Sequence, residues 1–303
     1  MTKEHKQRME TLRKIKDNKQ KYPYLNKILS YHALPKLKIF LKLADAREID
    51  RKTLIHDNKY PYFTIPTSEL IKKYKGGNGT WSRNINCFVT LGLIGKVNPY
   101  KVNSENGLLF QHSQAGKQKL SRKTGIPRNQ IKEQNIYYIF PYTEDILQTA
   151  EQRAKILCKN GFCMGAFSKI FVQRVFDLEF ANTIYFNDIG ESDFTLNVFN
   201  QIQDIVMTKL LIKHFTYKDE VLRNIQIDTN IYRHYEEIYP KAKITSKWKV
   251  AEFEYKRSIQ IICNKCNLEH SMSNKELNKL FDLKQNKKII YDKNYVEKNR
   301  SCK

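Results

Sequence analysis

Residues 62–97, YFTIPTSELIKKYKGGNGTWSRNINCFVTLGLIGKV, decide the reading of this chain. Phe63 and Ile65 alternate as a short strand should. Thr67 or Ser68 suits a helix N-cap, and Glu69 falls in the first turn, where a carboxylate meets the positive end of the helix dipole. Leu70, Ile71 and Tyr74 then give an apolar face. The run Gly76-Gly77-Asn78-Gly79 forces a stop, because glycine reaches the φ > 0 conformations of a tight turn. Thr80 is placed to cap a second helix. Trp81, Ile85 and Phe88 recur at helical spacing and predict its core face, with Ser82, Arg83, Asn86 and Thr90 largely on the opposite side. Leu91-Gly92-Leu93-Ile94-Gly95 ends that helix with a glycine and enters a strand.

The flanks extend the pattern. Residues 33–46, ALPKLKIFLKLADA, place Leu37, Phe40, Leu41 and Leu43 close together on a helical face. Residues 136–140, IYYIF, are rich in β-formers and read as a returning strand. Between the two later strands lies a long insertion with eight basic residues from Lys96 to Lys132 and one acid, Glu105. Helices are expected at 144–159, 167–186, 196–213, 217–225 and 248–263, and 273–291 reads as a helix-turn-helix or as a helix and a hairpin. The fold class is therefore mainly α with small β-wings, an α+β chain.

At 303 residues the chain has room for about two domains of ordinary size. Hydrophobic residues make up 41% of it, which excludes global disorder. It has no apolar run long enough to span a bilayer, and MTKEHKQRMETLRKIK lacks the apolar core of a secretory signal, so the expected place is the cytoplasm, with the nucleoid. Lys and Arg number 54 against 31 Asp and Glu, a net charge of +23 that attracts polyanions, of which nucleic acid is the commonest in that compartment. An AT-rich coding bias toward Lys, Ile and Asn is a second source of the same charge.

The order helix, strand, helix, glycine turn, helix, strand, strand resembles a winged helix-turn-helix, with Ser82, Arg83 and Leu91–Ile94 matching its recognition helix and first wing strand. The resemblance implies a reader of double-stranded DNA. Arg83 would reach guanine O6 and N7 or clamp a phosphate, with Thr80, Ser82, Asn86 and Thr90 beside it. Lys72, Lys73 and Lys75 would sit on the sugar–phosphate backbone. Lys101, Lys117, Lys119, Arg122, Lys123 and Arg128 would form a long basic wing on phosphates or in the minor groove. The implied division is a basic arm at 1–30, a winged-helix domain at 31–145, a helical connector at 146–195 and a C-terminal helical domain at 196–303, with a second winged helix there as an alternative. A domain boundary is read in the acidic turn Asp188–Asp193.

As a whole the arrangement resembles the replication initiators and replisome organisers of plasmids, phages and integrative elements of low-GC Gram-positive bacteria. Double-stranded DNA, a helicase or helicase loader, and a second copy of the chain are the partners this implies. A transcriptional regulator, or a DNA nickase or nuclease using a tyrosine or clustered carboxylates, are the alternatives. No catalytic residue, cofactor or metal is assigned. Six cysteines scattered through the chain are read as reduced thiols or ligands rather than a disulfide framework. Cys263 and Cys266, with His270 and Cys302, hold one close pair where a structural zinc site normally uses two, and are read as incidental thiols. Glu254-Tyr255-Lys256 has the E-x-K spacing of metal-dependent nucleases in a helical rather than strand context. The chain carries no G-x-x-x-x-G-K-[ST], which disfavours a P-loop ATPase.

Overall fold

In the computed structural model, residues 3–17, 19–29, 32–48, 55–56, 60–65, 67–74, 77–98, 114, 117–118, 121–122, 125–127, 135–186 and 193–301 are described. Two compact units divide the chain: Met1–Cys158 with Phe162–Asp188, and Lys159–Gly161 with Ile189–Lys303.

Unit 1 runs α1 (Lys3–Asp17), α2 (Pro23–Ile28), α3 (Ala33–Glu48), β1 (Ile55–His56), β2 (Tyr60–Thr64), α4 (Thr67–Tyr74), α5 (Asn78–Leu91), β3 (Gly95–Val97), β4 (Ile136–Tyr138), α6 (Glu144–Lys159), α7 (Lys169–Val175) and α8 (Leu178–Ile184). Its antiparallel sheet has the order β1-β2-β4-β3, so the last strand lies inside, between the two strands that precede it. The core forms where α3 crosses this sheet. Phe40 meets Tyr137 edge-on, 5.2 Å between ring centroids, and Phe63 at 5.8 Å, joining one residue each from α3, β4 and β2. The predicted apolar face of α5 is buried there too, with Trp81 at 1%, Ile85 at 2% and Phe88 at 0% exposure.

Local chemistry explains where α5 starts and stops. Gly77, not Thr80, is its N-cap, and no side chain caps it, so the helix begins earlier than a threonine cap predicts. Gly92, at φ +79°, ends it: Gly92 N–H donates to the Val89 carbonyl and Leu93 N–H to the Phe88 carbonyl, which satisfies the last orphan carbonyls. Gly95 answers a different need. It lies opposite Tyr138 across the sheet, and a Cβ there would overlap the Tyr138 ring, which packs edge-on against Phe140. Gly95→Ala is expected to destabilise unit 1 by roughly 1–3 kcal/mol, the range for overpacking. A denaturation midpoint unchanged from the parent would show that Tyr138 simply swings aside.

Residues 1–30 differ from a free basic arm. They form α1 and α2, which bury Leu12, Ile15, Leu25 and Ile28 in the unit 1 core. Glu151 of α6 accepts from the backbone N–H groups of Tyr24 and Leu25, at 3.0 and 2.7 Å, and so satisfies the open end of α2. The segment 167–186, read as one helix, is two. Ser168 caps α7 and Asp177 caps α8, each accepting from a backbone N–H three residues on. This stretch and α6 belong to unit 1 except for the turn at 159–161, rather than forming a separate connector.

Unit 2 runs α9 (Asp193–Lys213), β5 (Phe215–Tyr217), α10 (Lys218–Asn224), α11 (Thr229–Ile238), α12 (Lys247–Lys265), β6 (Leu268–Met272), α13 (Lys275–Leu280), β7 (Lys288–Asp292) and α14 (Lys293–Ser301). Its antiparallel sheet has the order β5-β7-β6. Successive residues of a strand face opposite ways, and β7 uses both. Ile290 joins the cluster of α9 and α12, with Val198, Ile202, Val206, Val250 and Ile262, while Ile289 joins Leu277, Phe281 and Val296. Leu211, near the end of α9, is 80% exposed.

Both units share one order. Unit 1 has α3-β2-α4-α5-β3-β4, with β1 inserted; unit 2 has α9-β5-α10-α12-β6-β7, with α11 and α13 inserted. In both, the final strand is an inner one: β4 lies between β2 and β3, and β7 between β5 and β6.

Candidate nucleic-acid interface

The residues expected to read bases lie on α5, and the structure covers that helix at Asn86 and Thr90 while leaving Thr80, Ser82 and Arg83 half-buried. Thr90 is fully buried; its hydroxyl donates to the Asn86 carbonyl at 2.8 Å and its own carbonyl accepts from Arg153 at 3.2 Å. Asn86 is 9% exposed, and its Oδ1 accepts from the Lys96 ammonium at 3.3 Å. Lys96 also donates to the Ile184 carbonyl at 2.8 Å and sits over the Phe186 ring. Asn86 and Thr90 are therefore corrected from base contacts to internal packing. The outward side that helical period assigns to them is covered by α8 and by the turn at Met164–Ala166.

Arg83 is drawn into the same packing. Its Nε donates to the Gly79 carbonyl at 3.0 Å and its Nη1 to the Gly165 carbonyl at 2.6 Å. Those bonds tie the side chain down beside the 164–166 turn. Thr80 and Ser82 are half-buried. Lys72 and Lys73 are exposed, and Lys73 pairs with Glu69 at 3.2 Å. Of the basic wing, Lys117 is half-buried and Arg122 exposed, whereas Lys75, Lys101, Lys119, Lys123 and Arg128 lie outside the described residues.

Unit 2 treats the corresponding helix differently. α12 buries Val250, Ala251, Tyr255, Ile259 and Ile262 on one side and leaves Lys249, Lys256 and Gln260 exposed on the other. On that side Glu252 gathers three ammonium groups, Lys218 of α10 at 2.9 Å, Lys249 at 3.1 Å and Lys256 at 3.4 Å. Lys218 is the chief reason that the Glu252 carboxyl is held down to about 2, with Lys249 next. Glu220 of α10 accepts from Lys213 at 2.7 Å and Lys209 at 3.3 Å. Burial alone would raise its pKa; the two lysines outweigh burial and lower it.

Between α10 and the loop that joins α13 to β7 lies an open groove of about 780 Å³, lined by Lys213, Lys218, Arg223, Lys287 and Lys288. Lys218 and Glu220 join the groove to the α12 array. The continuous surface carries eight cations (Lys209, Lys213, Lys218, Arg223, Lys249, Lys256, Lys287, Lys288) and three carboxylates (Asp219, Glu220, Glu252), a surplus of five positive charges. Sequence reasoning did not single it out. Lys249 and Lys256 are two helical turns apart, a readable stripe, but Lys218, Arg223 and Lys287 arrive from other elements and leave no local signal.

His270 lies on β6 opposite Ile290, edge-on to Tyr255 with centroids 6.1 Å apart. Burial pushes its pKa from 6.5 down to about 4, and Lys288 adds to the effect. The folded imidazole therefore stays neutral while the unfolded one takes a proton. Its contribution is complete above pH 6.5 and fades as pH falls toward 4. Allowing for solvent screening, unit 2 is expected to lose about 1 kcal/mol by pH 5, a fall of a few degrees in Tm. His270→Gln should flatten that dependence between pH 7 and 5; a parallel slope in both proteins would remove His270 as its cause.

The remaining candidates are also placed. Glu254 is fully buried in α12, accepting from the Tyr235 hydroxyl at 2.9 Å and the Ser258 hydroxyl at 2.8 Å. Cys263 is buried and Cys266 half-buried, and burial raises both thiols, Cys263 to about 12. Cys302 lies outside the described residues. Among the described residues no cluster of three or more His, Cys, Asp or Glu is placed to hold a metal ion, and no helix is long and apolar enough to cross a membrane. No family model matches the chain, and no curated protein or solved structure matches it either.

Proposed function

We propose that this chain is a sequence-specific double-stranded DNA-binding protein, built from two winged-helix units and binding duplex chiefly through unit 2. One observation carries the reading: α12, the helix that precedes the β6–β7 strands, keeps an exposed cationic face, flanked by the basic groove of α10 and the β7 loop. The order helix, strand, helix, helix, strand, strand with an inner last strand, found in unit 1 apart from β1 and in unit 2 apart from α11 and α13, supports the winged-helix reading. Phosphate contacts from the lysine array supply affinity, and side chains on the outward stripe of α12 read base edges. Unit 1, with α5 covered at Asn86 and Thr90, supports the fold and offers Lys72, Lys73 and Arg122 to phosphates.

Within that class we assign the chain to the replication initiators or replisome organisers of plasmids, phages or integrative elements, on the resemblance of the 62–97 stretch and the two-unit build. A helicase or its loader, and a second copy of the chain, are the partners of such a protein. The test is capture of sheared DNA from the source organism on the purified protein at physiological salt, followed by sequencing. Enrichment of one repeated site beside an origin supports initiation; enrichment beside promoters transfers the chain to the regulators. Uniform coverage removes sequence specificity.

A further inference from the structure

The sequence has two tryptophans, and they are placed in opposite ways. Trp81 is 1% exposed in the unit 1 core, while Trp248, in the first turn of α12, is 42% exposed. An indole left partly in water is a large apolar face open to a partner, and here the helix that carries it is anchored. Ser246 caps the helix, its Oγ accepting from Lys249 N–H, and the next two residues along, Val250 and Ala251, are 0% and 2% exposed. Trp248 and Glu252 are one turn apart, hence on the same helical face. At Glu252 the ammonium groups of Lys218, Lys249 and Lys256 converge on a single carboxylate, which leaves two positive charges to spare one helical turn along from Trp248. Lys247 on the other side is exposed as well.

We propose that Trp248 is a base-stacking residue, and that unit 2 takes an unpaired base of single-stranded DNA on its indole while the lysines at Glu252 hold the adjoining phosphates. A flat aromatic face beside cations is the chemistry that binds single strands without reading sequence, since every base has a π-face. Duplex offers its phosphates to the same lysines but keeps its base faces stacked inside. The inference deepens the DNA-binding reading and rests on it for the phosphate contacts. It adds a second substrate form, the unpaired strand that a melted site exposes.

Intrinsic fluorescence tests it, because Trp81 is shielded and serves as an internal reference. The full chain is titrated with a dT oligonucleotide and, separately, with duplex. The expected result is quenching by oligo(dT) that disappears in Trp248→Ala. That variant should bind oligo(dT) roughly tenfold more weakly, within the range for loss of one stacked base, with duplex affinity nearly unchanged. Trp248→Phe keeps a ring and should restore most of the oligo(dT) affinity, and an unchanged calorimetric transition of unit 2 in both variants reports that they fold. Oligo(dT) binding with no change in emission overturns the proposal. So does equal loss of oligo(dT) and duplex in Trp248→Ala that Phe fails to restore, which makes the residue structural. Loss of self-association in Trp248→Ala, measured by sedimentation without any change in oligo(dT) binding, assigns the indole to a protein interface instead. If duplex fails to bind while oligo(dT) quenches Trp248, the duplex reading falls and the stacking site stands.

Discussion

Lys218→Ala, Lys249→Ala and Lys256→Ala combined are expected to weaken duplex binding roughly 10²-fold at ~0.15 M salt, with the salt slope shallower by about three. Each lysine that neutralises a phosphate releases a condensed counterion, so the loss should be uniform across DNA sequences. Stability should hardly change. The three pairs with Glu252 are at the surface, where such bridges contribute little, and the lysine side chains are 36%, 54% and 66% exposed. Arg83→Ala is the counterpart. Its guanidinium is already engaged by the Gly79 and Gly165 carbonyls, so duplex affinity should stay within about twofold. Titrations by fluorescence anisotropy at several salt concentrations measure both. A large loss in Arg83→Ala with none in the triple variant would return the interface to α5 and sink the unit 2 assignment.

The contrast between α5 and α12 shows what a single sequence discloses. Trp81, Ile85, Phe88 and the stop at Gly92 were legible, because helical period and glycine chemistry act within a few residues. The enclosure of the other side of α5 was not. It comes from Gly165 and Ile184, some eighty to ninety residues downstream, through polar bonds to Arg83 and Lys96 that imitate an exposed polar face. A helix that is polar opposite its core reads the same whether water or a carbonyl satisfies it. The same ambiguity concealed α1 and α2. Leu12, Ile15, Leu25 and Ile28 are sparse among lysines, yet each is at most 3% exposed.

The repeated order of unit 2 was hidden for a different reason. α11 intervenes between α10 and α12, and α13 between β6 and β7, so no fixed period links the two halves. β5 is three residues long, and Thr216 within it looks like a helix cap. Its hydroxyl does donate to Glu220 in the following helix, but its backbone pairs with Ile290. Short strands carry too few alternations to be distinguished from a helix start. The cation array follows from these placements, since Lys218 meets Glu252 only once α10 and α12 are packed.

Trp81→Ala is expected to lower the stability of unit 1 by about 3–5 kcal/mol, the range for truncating a large buried aromatic. Trp81 is the largest of the fully buried side chains, and its neighbours in the core come from elements fixed at both ends. Phe40, Phe63 and Tyr137 hold α3 to the sheet, and Gly92 and Gly77 set the length of α5, so the cavity cannot close by a small helix shift. Unit 2 has its own clusters, centred on Ile202, Val250 and Ile290 and on Phe281 and Ile289. Calorimetry of the variant should therefore show one transition moved down by several degrees and a second left in place. Duplex binding measured below the first transition should persist, because the lysines around Glu252 are set by α10 and α12 alone. A single transition that moves as a whole would show the two units to be one cooperative body. Loss of duplex binding in step with the unfolding of unit 1 would place the essential contacts there, and the exposed face of α12 would then lose its claim to the DNA.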